Sequence, residues 1–94
     1  MHTVIRSYTG EGADELFTHL EASEADVRDL IGGVPGFISY TAFRTGDGGV
    51  TVTACQDKAG TDESSRRAAG YVKDTVAATV DPPTVVEGDS SLRF

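Results

Sequence analysis

With 94 residues, a formal net charge of −7 and one cysteine, the chain has room for a single domain over residues 1–94 and little more. The acidic balance repels phosphate backbones and argues against a nucleic-acid partner. No apolar run approaches the roughly 18–20 residues of a membrane span. One cysteine can close no disulfide within the chain and build no cysteine-rich zinc or iron–sulfur site. No metal and no cofactor are expected.

Met1 to Arg6 lacks the charged head and apolar stretch of a signal peptide, and a lone thiol suits a reducing compartment, so the expected location is the cytoplasm. A chain this short buries only about 60–65% of the surface that its unfolded form exposes. Its own core is thin, and association is an ordinary remedy.

In chain order, His2 to Tyr8 reads as a strand around β-branched Thr3, Val4 and Ile5. From Ala13 to about Ile31, apolar Leu16, Phe17, Leu20, Val27, Leu30 and Ile31 recur at helical spacing among acidic residues. Ser23, with Asp26 three residues on, allows a break and a second short helix. Gly32-Gly33 is placed to stop it in a left-handed cap. Phe37 to Arg44 is a second strand, and Gly46-Asp47-Gly48-Gly49 predicts a tight hairpin using positive φ into a third strand from Val50 to Gln56. A further helix is expected to be capped at Thr61 or Asp62 and to carry Ala69, Val72, Val76 and Val80 as its apolar stripe until Asp81-Pro82-Pro83 ends it. Thr84 to Glu87 begins the last strand, with a bulge expected near Gly88 and Asp89 and a continuation over Ser91 to Phe94. The order is βαββαβ. It predicts an α+β, ferredoxin-like domain with both helices on one face of a four-stranded antiparallel sheet.

The other sheet face should then alternate to charged residues if water covers it. It does not. Phe37, Ser39, Thr41 and Phe43 oppose Ile38, Tyr40, Ala42 and Arg44. Val50, Val52 and Ala54 oppose Thr51, Thr53 and Cys55. Val4, Arg6 and Tyr8 oppose Thr3, Ile5 and Ser7. Sequence alone does not fix which set points inward, but ionised side chains are scarce in both. Both faces are therefore expected to be covered, the second by another copy of the chain. Such a homodimer encloses either a mixed pocket for a small, partly aromatic molecule or a plain packed interface.

Tyr8 and Tyr40 are candidate donors to a phenolic ligand, or half-buried packing residues. Tyr71 is placed to close a pocket mouth or to pack on the sheet. Arg6, mid-strand, needs a partner, either an anionic ligand or an acidic residue such as Glu87. His2 and His19 read as structural histidines and Cys55 as a small buried hydrophobe. Ser64-Ser65 has no triad partners at identifiable spacing.

Val34-Pro35-Gly36-Phe37, Tyr40 three residues on and Arg44 closing the strand, together with the element order, resemble the antibiotic-biosynthesis-monooxygenase-like group of dimeric α/β barrels. The resemblance implies a homodimer with sheets back to back and one pocket per subunit. It also implies an activity ranging over cofactor-free oxidation of polycyclic phenols, haem cleavage and none known. Those enzymes use an Asn of the first strand and a pocket Trp, and the haem branch adds a His on the second helix. This chain contains no Asn and no Trp, and neither His2 nor His19 lies on that helix, so no catalytic residue carries over.

Overall fold

A computed structural model describes residues 1–94. The chain runs β1 (His2–Thr9), α1 (Ala13–Ala22), α2 (Glu24–Gly32), β2 (Phe37–Thr45), β3 (Gly48–Cys55), α3 (Lys58–Thr75) and β4 (Thr84–Asp89). The four strands form one antiparallel sheet in the order β2-β3-β1-β4, with β2 and β4 at the edges. This is the α+β ferredoxin-like arrangement expected from the element order.

Burial settles the question of faces. His2, Val4, Arg6 and Tyr8 of β1 are buried and pair with Cys55, Thr53, Thr51 and Gly49 of β3, which are buried too. These residues lie under the helices. Tyr40, Ala42 and Arg44 of β2 share that side through their pairing with Thr53, Thr51 and Gly49. The core is built where Tyr8 meets Ala13, Leu16 and Phe17 of α1, extended by Leu20, Val72, Val76 and Val80. Tyr8 and Phe17 meet edge to face with ring centres 6.1 Å apart. Phe17 lies directly over Gly49, where any β-carbon would collide with its ring.

The opposite face collects Thr3, Ile5 and Ser7, Ser39, Thr41 and Phe43, Val50, Val52 and Ala54, and Thr84, Val86 and Gly88. None of these side chains is ionisable, and Ile5, Phe43 and Val86 are exposed by 36%, 49% and 62%.

Several local expectations need correction. The long first helix does break at Ser23, yet the Ser23 side chain caps nothing. Gly33 ends α2 in a right-handed conformation, and the positive φ of that joint belongs to Gly36 (79°), two residues past Val34. The hairpin loop is Gly46-Asp47, with Thr45 opposite Gly48; the positive φ of the turn falls on Gly48 (157°) and on neither loop residue. The sheet irregularity falls between Phe37 and Ser39. β4 pairs through Gly88 and Asp89 without a bulge, and Ser91 to Phe94 form no strand.

Helix α3 is shifted toward the N-terminus of its expected span. It starts at Lys58 because the Asp57 carboxylate accepts the Gly60 N–H at 3.0 Å, so Thr61 and Asp62 lie inside the helix. It ends at Thr75, and Val76 turns to extended geometry. Val80 therefore packs on the core from a loop, and Ala69 is exposed. The loop is held by reciprocal bonds: Asp81 N–H donates to Glu11 O at 3.0 Å and Glu11 N–H to Asp81 Oδ2 at 3.2 Å. A helix continued to Asp81 could not reach that partner, and Pro82 pushes Asp81 out of helical geometry besides.

Candidate functional site

The βαββαβ register brings all four candidate residues together. Arg6 and Tyr8 (β1), Tyr40 (β2) and Tyr71 (α3) line one internal cavity between the sheet and the helices, with Leu16, Leu20, Val27 and Ile31 as apolar walls. Its volume is about 20 Å3, space for one water molecule and not for an aromatic ring.

Arg6 is 3% exposed. Nη2 donates to the hydroxyls of Ser64 (2.8 Å) and Ser65 (2.9 Å) on α3, and Nη1 to those of Thr53 (3.2 Å) and Thr51 (3.4 Å) on β3. Nε is buried with no acceptor. The expected pairing with Glu87 does not form, because the Glu87 carboxylate sits 3.3 Å from Lys58 Nζ and 3.6 Å from His2 Nε2. Burial lowers the Arg6 pKa from its ordinary value, but a guanidinium remains charged at neutral pH. The site thus contains a fixed positive charge surrounded by hydroxyls.

Burial pushes the Tyr40 phenol up to about 12, against the opposing pull of Arg6, and raises Tyr8 by the same mechanism. Both are neutral donors at physiological pH. Tyr71 is engaged with α1: its hydroxyl lies 3.0 Å from His19 Nε2, with the rings 5.5 Å apart. His2 is buried, with Nδ1 2.6 Å from Thr61 Oγ1. Cys55 is fully buried and its thiol pKa is raised by burial, as befits a packing residue.

Arg44 lies outside this cavity. It fans over α1, donating to Asp14 (2.7 Å), Glu21 (2.9 Å) and Thr18 (2.9 Å), and so ties β2 to that helix. Next to it, α1, α2 and edge strand β2 flank an open groove of about 550 Å3, floored by Phe17, Leu20, Val27, Ile31, Phe37 and Phe43 and reaching Tyr40. A second groove of about 530 Å3 runs between α3, the segment 76–83 and β4, and has Arg6 and Tyr8 in its wall.

The four hydroxyl partners of Arg6 are what sequence reasoning missed. A signal existed: Thr51 and Thr53 alternate on the strand beside Arg6, and Ser64 falls on the buried side of the next helix. These positions carry meaning only once strand order and the α3 boundaries are known.

No protein-family model matches the chain, and no curated protein does. Solved structures do. The monooxygenase ActVA-Orf6 of Streptomyces coelicolor, solved with nanaomycin D, is 19% identical with a TM-score of 0.66, over 99% of this chain and 88% of that one. The heme-degrader MhuD of Mycobacterium tuberculosis, solved with two hemes in its active site, is 14% identical with a TM-score of 0.70, over 100% and 99%. A Nitrosomonas europaea protein of unknown function is 18% identical with a TM-score of 0.68, over 99% and 90%. The chain shares the fold of these structures over nearly its whole length. At these identities the likeness establishes the fold alone.

Haem does not fit the residues present. Neither histidine is free to hold its iron: His2 is bound to Thr61 and His19 to Tyr71, and the Cys55 sulfur is fully buried. No helix is long and apolar enough to cross a membrane.

Proposed function

We propose that the protein is a homodimer, joined through the uncharged sheet face, whose sheet–helix interior binds a small, partly aromatic molecule. The convergence of Arg6, Tyr8, Tyr40 and Tyr71 on one apolar-walled cavity carries the reading. A few fixed polar groups in apolar walls orient a ligand in this way. The cavity must widen for a ring to enter, and the two grooves beside it, which share Tyr40 and Arg6 with it, are the entry routes. Structural neighbours that bind nanaomycin D or heme support small-ligand binding in this fold.

Binding is favoured over oxygenation. Cofactor-free oxidation of a phenol begins by removing its proton, and the interior offers no free base: Tyr8 and Tyr40 are held protonated and His19 is engaged. A second reading, a dimerisation module with no ligand, is supported by the small size of the cavity.

Native mass spectrometry of freshly purified protein separates the two. A dimer carrying a small-molecule adduct that is lost on denaturation is the expected result. A clean dimer mass, with no small aromatic compound from a broad screen perturbing Tyr8, Tyr40 or Tyr71 signals in NMR, would favour the module.

A further inference from the structure

Arg6 has one donor and a charge that the fold leaves unanswered. No carboxylate forms an ion pair with it; of the eight lysines and arginines, only Arg6, Lys73 and Arg93 have none. Its Nε has no acceptor, and its four hydrogen bonds go to neutral hydroxyls. A buried charge without a counter-charge works against folding, and an apolar side chain of similar volume would serve stability better. A bound oxyanion reverses that balance by supplying both the charge and the missing acceptor.

The groove between α3 and β4 leads to this guanidinium. Its walls include Tyr8, Val72, Val76, Val80 and Val85, which suit an aromatic or alicyclic body. Ser65 also lines it and holds one Nη2 proton at 2.9 Å, so its displacement frees a second donor beside Nε. Of the charged residues at the rim, Lys73 adds positive potential, and Asp81 has Oδ2 occupied by the Glu11 N–H.

We propose that Arg6 is the anchor for the acidic group of an aromatic acid, a carboxylate or a comparable planar oxyanion, which enters through the α3–β4 groove. The inference rests on the binding reading above and adds the charge of the ligand to it.

The matched probes 2-naphthoate and 2-naphthalenemethanol differ in that charge and little else. Calorimetric titration of the wild-type dimer is expected to give naphthoate at least a tenfold tighter dissociation constant. Arg6→Met should abolish the preference and retain binding of the alcohol, with a melting temperature equal to or above wild type. Arg6→Gln, which can still bond the surrounding hydroxyls, replaces it should the methionine variant fail to fold, with the same expectation for the preference. Equal affinities for the two probes, or a preference that survives loss of the charge, would overturn the anion anchor and leave the pocket standing. Binding of neither probe would count against both.

Discussion

The Arg6 guanidinium donates to the Ser64 hydroxyl at 2.8 Å, and this bond crosses from an inner strand to the buried side of α3. Ser64 is fully buried and its own hydroxyl donates a hydrogen bond to Thr61 O at 2.7 Å. Strand and helix are thus joined by a chain of polar contacts in the place where most small domains have apolar packing.

Ser64→Ala therefore leaves a buried Arg6 donor without its acceptor, and the expected loss is about 1–3 kcal/mol, measured from the urea midpoint. In the Arg6→Met background Ser64→Ala should cost much less than it does in the wild type, because the donor it would leave unsatisfied has gone. The same loss in both backgrounds would show that the two residues act independently.

Tyr40 gives the pH prediction. Its folded pKa is raised to about 12, chiefly by burial, against about 10 in an unfolded chain. The folded state holds the proton longer, so the stabilisation is complete below pH 10 and is lost as pH rises from 10 toward 12. The expected loss across that window is about 2–3 kcal/mol, followed by denaturant unfolding at several pH values. Tyr40→Phe should flatten the profile. An ultraviolet titration in which all three tyrosines ionise near 10 would refute the assignment.

Gly49 is the close-packed point of the core, with the Phe17 ring over its α-carbon. Gly49→Ala should destabilise by about 1–3 kcal/mol through overpacking. Gly46→Ala, in the same hairpin but with open space around it, should shift the thermal midpoint by less than 1 °C per position, or raise it slightly.

Periodicity and turn residues were enough to read the element order, the Ser23 break and the hairpin between β2 and β3. They misplaced the boundaries of α3 because those depend on long-range partners: Asp57 caps through its own side chain, but the end at Thr75 follows from the Glu11–Asp81 bonds, seventy residues apart in sequence. Arg6, Tyr8, Tyr40 and Tyr71 stood out as chemistry-bearing residues in semi-apolar segments, and they do meet. The Arg6–Glu87 pairing was not legible as wrong, since Glu87 lies on the neighbouring strand and only its contacts with Lys58 and His2 draw it away. The strand faces could not be assigned at all, because a one-residue slip exchanges every side chain between them.

Sheet coverage is tested most directly by sedimentation equilibrium at micromolar concentration, run on the wild type and on Val52→Asp. Val52 sits at the centre of the uncharged face, opposite Ile5 and Thr41, and a buried unpaired carboxylate there should weaken association at least a hundredfold. The account predicts a wild-type dimer and a largely monomeric variant. A wild-type chain that sediments as a single, well-folded monomer would contradict it.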